Sequence, residues 1–412
     1  MAIVVQKYGG TSVGTIERIR KVAQRVAARS KGGDRVVVVV SAMSGETDRL
    51  IGLTSEMADR PECREFDVVV SAGEQVSAGL LAIALNKMGC RAKSLLGFQI
   101  PLTTEATHTR ARIEHIEGAR ITGELDDGNI VVVPGFQGID RDNNITTLGR
   151  GGSDTTAVAL ATALDADICE IYTDVEGVYT TDPSICSNAR MIKRISYDEM
   201  LEMASLGAKV LQTRSVEFAK KYHVPLMVRS SFTDREGTMV TMEDDDMEKA
   251  AVSGITYNKN EAKISIVRIP DRPGIAAKLF APLTEADINV DMIVQNLSHE
   301  GYTDMTFTVP LDDYEKALHL IESMADSIEA GKVEGNRDIA KVSIIGAGMR
   351  SHAGVASKTF DTLAAEGINI QIISTSEIKI SCVIDEKYTE LAVRILHDAF
   401  GLGDTEIGEE KI

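Results

Sequence analysis

Short runs of β-branched residues alternate with amphipathic stretches along the first 230 residues or so. Apolar runs predict buried strands at residues 3–6, 36–40, 68–70, 130–133 and 168–172. Apolar positions at helical spacing predict helices at residues 16–28, 155–164 and 197–221. This alternation predicts one α/β domain over residues 1–245, with three α/β/α layers around a largely parallel sheet.

The rest of the chain contains two copies of one pattern. The segment PGIAAKLFAPLTEADINVDMI, from Pro273, aligns without a gap with AGVASKTFDTLAAEGINIQII, from Ala353. In each copy the predicted order is β-α-β-β-α, which indicates two small ferredoxin-like (βαββαβ) domains. We predict the first at residues 262–337 and the second at residues 340–412, after an acidic linker at residues 243–246.

Several predicted strands end in short turns rich in glycine and hydroxyl groups. The turns are KYGGTSVG from Lys7, SAMSG from Ser41, SAGE from Ser71 and GRGGSD from Gly149. Adjacent glycines let backbone N–H groups converge on an anion, and ligands of open parallel sheets bind where strands end. KYGG alone could be a plain tight turn, and Ser153 with Asp154 could cap a helix. Their recurrence favours one shared site for an anionic ligand.

Composition and the absence of targeting motifs argue against several kinds of partner and site. The net charge of −18 argues against a nucleic-acid partner, which would require a basic face. The N-terminus lacks a signal-peptide pattern, and its longest apolar run is too short to cross a bilayer. The five cysteines are scattered and never in CxxC spacing, so neither disulfides nor a zinc site is expected. These features predict a cytoplasmic protein without a membrane partner.

Taken together, the motifs resemble the amino-acid kinase family and, within it, the aspartate kinases. The matching segments are KYGGTSVG, VVVVVSAMSGETDRL, SAGEQVSAGLLA, TTLGRGGSDTTAVALA and IYTDVEGVYTTDP, and the two repeats look like ACT domains. The resemblance covers essentially the whole chain. Tyr8 is a minor departure, since many relatives have phenylalanine there.

The resemblance implies a reaction. The γ-phosphoryl group of MgATP would pass to the β-carboxylate of L-aspartate and give 4-phospho-L-aspartate, the first step of lysine, threonine and methionine biosynthesis. None of the seven histidines lies in a glycine-rich motif. That is compatible with a carboxylate acceptor, which is ionised at neutral pH without a base. Mg²⁺ is expected to arrive bound to the ATP phosphates, with few direct protein ligands.

The resemblance also implies residue roles. The catalytic residues would be Lys7, Arg150 and Asp154; whether Asp154 orients the lysines or the metal-phosphate group stays open. The nucleotide would be bound by Lys7, Tyr8, Gly9, Gly10, Ser41, Thr173, Asp174, Tyr179, Asp182, Pro183 and Lys209. Aspartate would be bound by Thr47, Glu74, Arg150, Gly151, Gly152 and Ser153, with Glu74 facing its α-ammonium group. Without the resemblance, Asp174 and Asp182-Pro183 would be turn formers and Lys209 a solvated helix cation.

The ACT-like repeats predict an amino-acid sensor, with lysine, threonine or both as feedback inhibitors. The candidate contacts in the first repeat are Asp271, Gly274, Ile275, Ala276, Asn289, Val290, Asp291 and Gln295. Those in the second are His352, Ala353, Asn369, Ile370, Ser376 and Glu377. The repeats would also join copies of the chain into a homodimer or higher oligomer, and dimerisation could be their sole role. Whether an internal start near Met239, Met242 or Met247 yields a separate regulatory subunit stays open.

Two other functions are considered. Another amino-acid kinase, acting on glutamate, N-acetylglutamate or UMP, would share the glycine turns but not the SAMSGETDRL and SAGEQ segments or the tandem repeats. An amino-acid-binding regulator with an inert kinase domain would not need Lys7, Arg150 and Asp154.

Overall fold

The chain forms two compact units. The computed structural model describes residues 1–208, 210–243, 251–297 and 301–403. The first unit contains Met1–Tyr179 and Met191–Met247, and the second contains Thr180–Arg190 and Glu248–Ile412. The segment Thr180–Arg190 thus belongs to the second unit although it lies within the range predicted for the N-terminal domain.

The first unit alternates strands and helices. Its strands are β1 (Ile3–Tyr8), β2 (Arg35–Val40), β3 (Ala92–Ser94), β4 (Leu102–Thr104), β5 (Ile113–Ile116), β6 (Ile130–Pro134), β7 (Gln137–Ile139), β8 (Ile145–Thr147), β9 (Ile168–Thr173), β10 (Arg194–Ser196), β11 (Leu226–Ser230) and β12 (Thr238–Thr241). Its helices are α1 (Ile16–Lys31), α2 (Glu46–Met57), α3 (Cys63–Val70), α4 (Ala72–Lys87), α5 (Ala119–Asp126), α6 (Gly152–Ala163), α7 (Tyr197–Ser205) and α8 (Thr213–Tyr222).

The central sheet has eight strands in the order β10-β12-β11-β9-β1-β2-β6-β3. Its strand pairs are parallel except for β11 with β12. The valine-rich β2 is buried almost throughout, as expected for a strand covered on both faces. A smaller sheet, β5-β4-β7-β8, lies in the same unit. The predicted fold class, an α/β domain with a largely parallel sheet, is confirmed.

Two predicted elements of this unit are wrong. The strand predicted at residues 68–70 is the end of helix α3, in which Asp67 and Val70 are buried while Val68 is 39% exposed. Three apolar residues are too few to distinguish a strand from a helix. The single helix predicted at residues 197–221 is two helices, α7 and α8, separated near Gly207, whose φ is +117°.

Helices α3 and α4 form a nearly continuous helical stretch, Cys63–Lys87, that is long and apolar enough to cross a membrane. Half of its most apolar window is buried within the protein. Leu81 and Leu85 belong to the same buried cluster as Val36 and Val38 of strand β2. This is the environment of a core helix in a folded domain.

The second unit contains the two repeats. Its strands are β13 (Gly254–Asn258), β14 (Glu261–Pro270), β15 (Ile293–Leu297), β16 (Tyr302–Pro310), β17 (Lys332–Asn336), β18 (Ile339–Ile345), β19 (Ile372–Thr375) and β20 (Lys379–Asp385). Its α-helices are α9 (Ile275–Glu285), α10 (Tyr314–Met324), α11 (Val355–Ala365) and α12 (Thr389–Ala399).

Each repeat has its own antiparallel sheet. The first sheet has the order β15-β16-β14-β17 and the second β13-β18-β20-β19. Strand β13 pairs with β18 although it precedes the whole first repeat, so it lies outside the range predicted for the second ACT-like domain. The first repeat is therefore inserted between two neighbouring strands of the second sheet.

Two lysine side chains join the repeats, and their partners Asp291 and Gln371 occupy equivalent positions. Lys341 forms ion pairs with Glu261, at 2.5 Å, and with Asp291. Lys263 donates a hydrogen bond to Gln371 at 2.6 Å. At the repeat offset of 80 residues, Glu261 corresponds to Lys341 and Asp291 to Gln371. Each repeat therefore sends a lysine from its first strand to the same position of the other repeat.

The segment Thr180–Arg190 is fixed within the second unit. The carbonyl oxygen of Thr180 accepts a hydrogen bond from the amide of Ile255 in β13, at 2.7 Å. Its hydroxyl group contacts His397 Nε2 at 3.0 Å, and Asp182 accepts a hydrogen bond from Tyr257 at 3.0 Å. The chain thus leaves the first unit after Tyr179, contributes to the second, and returns at Met191.

Candidate active site

An ion pair lies at the end of the central strand β1. Lys7 Nζ is 2.5 Å from Asp154 Oδ1, and each side chain is only about one-tenth exposed. Because side chains of a strand alternate between faces, Tyr8 points to the opposite side of the sheet. There its ring stacks on Tyr172 at 4.6 Å between ring centroids. Only the backbone of Tyr8, and not its side chain, is therefore available to a ligand on the Lys7 side.

The glycines after β1 leave space around the Lys7 ammonium group. A Cβ atom at Gly9 would lie 3.5 Å from Lys7 Nζ, and one at Gly10 would lie 3.0 Å from the carbonyl oxygen of Ala42. Ser41, which follows β2, donates its amide hydrogen bond to the carbonyl oxygen of Tyr8 at 3.0 Å. The turns after β1 and β2 therefore lie against each other, and a larger residue at Gly10 would separate them.

Ser12 is a candidate that the sequence analysis did not assign. It lies in the turn between β1 and α1, and its hydroxyl oxygen is buried without a hydrogen-bond partner among the described residues. Buried hydroxyl groups are normally satisfied, so an unpaired one beside a glycine turn makes Ser12 a candidate for contact with a ligand. Its place within KYGGTSVG was the signal that could have identified it.

Glu74 carries a second unpaired oxygen. It lies in the first turn of α4, is 4% exposed, and accepts a hydrogen bond from the amide of Ala42 through Oε1 at 3.1 Å. Its other oxygen, Oε2, is buried without a partner in the described part of the chain. Burial raises the pKa of Glu74 to about 7, although the hydrogen bond from Ala42 opposes this shift. A cationic ligand group would satisfy the free oxygen and favour the ionised form.

Thr47 is brought toward Glu74 by helix packing. It lies, half-buried, in the first turn of α2, beside Glu46. A Cβ atom at Gly73 would lie 2.8 Å from Cβ of Ala42 and 3.5 Å from Cγ of Glu46. The beginnings of α2 and α4 therefore converge on the turn that follows β2, as the predicted aspartate pocket requires.

The turn before α6 presents an arginine without a partner. Gly149 and Gly151 have φ angles of +77° and +71°, which glycine adopts without strain. Arg150 lies between them, exposed, and makes no hydrogen bond or ion pair with any residue that the structure describes. Gly151 is the N-cap of α6, and no side chain caps the helix, so capping does not explain Ser153 and Asp154.

The start of α6 packs closely on the end of β6. A Cβ atom at Gly135 would lie 2.7 Å from Ser153 Oγ, and one at Gly152 would lie 2.9 Å from Cβ of Leu148. Ser153 itself is 7% exposed. Residues Gly151, Gly152 and Ser153 therefore lie at the same edge of the sheet as Lys7 and Glu74, where β1, β2 and β6 end.

The nucleotide-binding residues predicted from the end of β9 onward fall in two different units. Thr173 donates a hydrogen bond to Asp174 at 3.1 Å, and Tyr179 donates one to Glu176 at 3.0 Å, all within the first unit. Asp182 and Pro183 belong to the second unit instead, where the carboxylate of Asp182 accepts hydrogen bonds from Ser184 and Tyr257. Lys209 lies outside the described residues.

The predicted effector residues cluster around equivalent turns of the repeats. Gly274 and Gly354 are the N-caps of α9 and α11, with φ angles of +91° and +96°. Near the first turn the amide of Asp271 donates a hydrogen bond to the carbonyl oxygen of Gly301 at 2.9 Å. Ile275 is buried, while Ala276, Val290 and Ile370 pack, half-buried, against the two cores. The exposed candidates are Asn289, Gln295, Ala353 and Asn369.

Four polar effector candidates already have partners in the same chain. Asp291 pairs with Lys341, and Glu377 lies 3.4 Å from Arg350. His352 Nδ1 is 2.7 Å from the carbonyl oxygen of Gly348, and Ser376 accepts a hydrogen bond from the amide of Ile378. The sequence analysis missed Lys341. The signal was a lysine in an otherwise apolar strand, at the repeat position of Glu261.

Comparisons with known proteins agree with this division of the chain. Residues 2–230 match the amino acid kinase family, and residues 264–326 and 342–400 each match the ACT domain. An aspartokinase of Pseudomonas aeruginosa is 57% identical over 404 residues, which cover 98% of each chain. The crystal structure of E. coli aspartokinase III in complex with aspartate and ADP is 26% identical, with a TM-score of 0.78, and covers 96% of this chain and 99% of that one. The same enzyme in complex with lysine and aspartate gives a TM-score of 0.77 at 26% identity, covering 97% and 99%.

The raised pKa of Glu74 predicts how the stability of the protein depends on pH. Its pKa lies near 7 in the folded protein and near 4.5 when unfolded, so only the folded protein keeps this proton between those values. The contribution of Glu74 to stability therefore falls as pH rises from about 4.5 to 7 and stays low above that. We expect Glu74→Gln to raise the free energy of unfolding at pH 8 by up to about 3 kcal/mol, and by less at pH 5. Urea unfolding at the two pH values measures the difference.

Glu170→Gln is the matched control. Glu170 is equally buried, but it accepts hydrogen bonds from Gln6 at 2.7 Å and Tyr172 at 3.1 Å and lies 3.4 Å from Arg229. Its substitution should destabilise the protein at pH 8 because it breaks a satisfied network. A loss of stability at pH 8 in both variants would contradict the assignment of Glu74 as an unpaired acid.

Proposed function

We propose a function from one premise: the chain belongs to the amino acid kinase family, as one of its aspartokinases, and carries two ACT domains. The first unit transfers the γ-phosphoryl group of ATP to the side-chain carboxylate of L-aspartate and forms 4-phospho-L-aspartate. One observation carries this function: Lys7 and Asp154 are paired at the same sheet edge at which Glu74 and Arg150 have unsatisfied groups.

Lys7 is the group that acts on the transferred phosphoryl. Its ammonium group lies beside Gly9, where a Cβ atom would be 3.5 Å from Lys7 Nζ. A phosphate oxygen there would meet a cation in a partly water-excluded site, where charge stabilisation is stronger than in water. Gly10, Ser12 and Ser41 would supply further hydrogen bonds to the phosphates. Asp154 holds Lys7 in place and prevents its side chain from swinging away.

Aspartate would be held at three points. Arg150 is suited to bidentate capture of a carboxylate, because a planar guanidinium group offers two parallel N–H donors. The free oxygen of Glu74 would accept from the α-ammonium group, which would lower the pKa of Glu74 and leave it ionised. Thr47 and Ser153 would complete the pocket. The acceptor carboxylate needs no base, so alignment and charge neutralisation account for most of the catalysis.

Magnesium would enter bound to ATP. Among the described residues no three His, Cys, Asp or Glu side chains are grouped so as to hold a metal ion. Asp154 is the acidic group beside Lys7 and the one placed to contact a metal-phosphate complex. This donor set fits an ion that keeps most of its ligands from phosphate and water. When bound, the ion supplies positive charge that neutralises the phosphates.

The second unit would bind a feedback inhibitor, lysine or threonine. E. coli aspartokinase III has been crystallised in complex with lysine and aspartate in a T-state. In this chain Lys341 already gives Asp291 an ammonium partner. An effector with an ammonium group would compete with Lys341 for Asp291, and so couple binding to the contact between the repeats.

Further partners are part of the proposal. The edge strands β15 and β19 carry the exposed apolar residues Ile293 and Ile373, which would suit contact with a second copy, so we expect a homodimer or a larger oligomer. A separately translated copy of the repeats could join it as a regulatory subunit. The five free cysteines, including the exposed Cys63, suit the reducing cytoplasm.

Aspartate-dependent release of ADP, with hydroxylamine trapping of the acyl phosphate, tests the activity. Glutamate, N-acetylglutamate and UMP serve as alternative acceptors. We expect Lys7→Met to lower kcat by about 10²- to 10³-fold because it removes the cation at the phosphoryl group. Lys21→Met, at an exposed position of α1, is the control and should leave kcat unchanged. Near-normal turnover of a folded Lys7→Met variant would exclude this role.

Arg150→Lys tests the carboxylate contact. Lysine keeps the charge but loses the paired donors, so we expect the KM for aspartate to rise about tenfold while the KM for ATP stays within about twofold. Steady-state rates with each substrate varied in turn separate the two constants. Arg20→Lys, exposed on α1, is the control. Equal effects on both substrates would count against a specific contact with aspartate.

Asp291→Ala tests the effector site. The side chain of Lys341 keeps Glu261 as its partner, so the variant should fold. We expect the lysine or threonine concentration for half-inhibition to rise about tenfold or more, as for loss of a charged hydrogen bond, with uninhibited turnover near wild type. Initial rates with the two effectors titrated singly and together, beside the exposed control Asp312→Ala, provide the measurement. Unchanged inhibition would place the effector elsewhere.

A further inference from the structure

Asp67 is a fully buried carboxylate that the proposed chemistry does not use. It lies on α3, and both of its oxygens accept hydrogen bonds from two separate segments. Thr147, the last residue of β8, donates through its hydroxyl group at 2.6 Å and its amide at 3.1 Å. Thr109 donates its amide at 3.0–3.1 Å, and His108 Nδ1 lies at 2.9 Å. One side chain thus joins the end of β8 to the loop before β5.

Arg214 makes a second connection between the same two segments. Its guanidinium group donates to the carbonyl oxygen of Leu148 at 2.8 Å and to that of Ala111 at 2.9 Å. Burial lowers the pKa of Arg214, but an arginine remains charged at neutral pH. The carboxylate of Asp67 therefore holds Thr147, the last residue of β8, and the guanidinium group of Arg214 holds the next residue, Leu148.

These anchors lie immediately before the arginine turn. Leu148 also donates its amide hydrogen bond to the carbonyl oxygen of Phe136 at 2.8 Å. A Cβ atom at Gly149 would lie 3.3 Å from the carbonyl oxygen of Thr109, so the turn packs directly on the loop that Asp67 holds. Arg150 has no side-chain partner of its own in the described part of the chain, so the backbone anchors of the turn determine only where its side chain begins.

We propose that Asp67 is a positioning residue for aspartate binding: it fixes the backbone of the turn Gly149–Gly152, from which the side chain of Arg150 reaches the substrate. The proposal rests on the function proposed above, in which Arg150 holds the substrate. A buried carboxylate is expensive to desolvate, and an apolar side chain could fill the same space at lower cost. Its use here gives a defined geometry to a turn whose glycines would otherwise allow several. Small displacements of a substrate-holding group cost large factors in rate.

Asp67→Asn removes half of the anchor. The new amide nitrogen would face a backbone N–H of Thr109 or Thr147, so at least one hydrogen bond is lost. We expect the KM for aspartate to rise at least about tenfold, with the KM for ATP within about twofold of wild type. Asp140→Asn is the matched control. Asp140 is 5% exposed and accepts three hydrogen bonds from Asp142 and Asn144 at the opposite end of the β7–β8 hairpin. It should lower stability and leave both KM values unchanged.

A conservative pair of variants tests the contact itself. Thr147→Ser keeps the hydroxyl group that donates to Asp67, while Thr147→Val keeps the shape and loses the donor. We expect the valine variant to raise the KM for aspartate severalfold and the serine variant to restore it to near the wild-type value. If both variants behave alike, the hydrogen bond to Asp67 does not set the position of the turn.

Amide hydrogen exchange measures the turn without reference to activity. In Asp67→Asn, exchange should accelerate in peptides covering residues 105–112 and 147–152, and not in Asp140→Asn. The exchange measurement tests the positioning role even if the wild type shows no aspartate-dependent turnover. Absence of that turnover would contradict the proposed function but not the role of Asp67 in holding the turn. Unchanged exchange in those peptides, or equal changes in the KM values for aspartate and ATP, would overturn the positioning role.

Discussion

The candidate active site of the first unit depends on a cation held at the carboxyl edge of β1 and largely shielded from water. Lys7 is about one-tenth exposed, and Asp154 from the facing helix neutralises part of its charge. Both groups need the parallel sheet, because only there do β1, β2 and β6 end together at one edge. The glycines that follow β1 and precede α6 allow the turns to approach closely enough for this edge to become a pocket.

That pocket is assembled at a cost in stability. Glu74 has a buried oxygen, and Ser12 a buried hydroxyl group, without a hydrogen-bond partner among the described residues. Each unsatisfied group costs free energy in the empty protein and becomes favourable when a ligand supplies the missing partner. The surrounding core offsets this cost: the strands β2 and β6 are apolar and buried almost throughout. Asp67 and Arg214 then restrict the one turn that the glycines leave free.

In the second unit, charged side chains join the two repeats to each other. Its repeats are joined by Lys341, between Glu261 and Asp291, and by Lys263 with Gln371; the partners Asp291 and Gln371 occupy equivalent positions of the two copies. Burial alone would lower the pKa of Lys341, but the two carboxylates outweigh that effect and raise it, so the lysine stays charged. Loss of Lys341 would leave the buried carboxylate of Glu261 uncompensated, whereas loss of the more exposed Asp291 would leave Lys341 paired with Glu261.

The sequence by itself determined the alternating first domain, the tandem repeat, and the glycine turns in which Lys7, Glu74, Arg150 and Ser153 lie, because local periodicity and turn chemistry depend on near neighbours. It failed at residues 68–70, where three valines could not distinguish a helix from a strand. Tertiary structure alone decided which groups are paired and which are not. Lys7 pairs with Asp154 and Asp291 with Lys341, whereas Glu74 keeps one oxygen without a hydrogen-bond partner among the described residues. It also decided that β13 joins the second sheet and that Thr180–Arg190 belongs to the second unit. These pairings join residues far apart in the chain, and their energies depend on burial that only the packed structure creates.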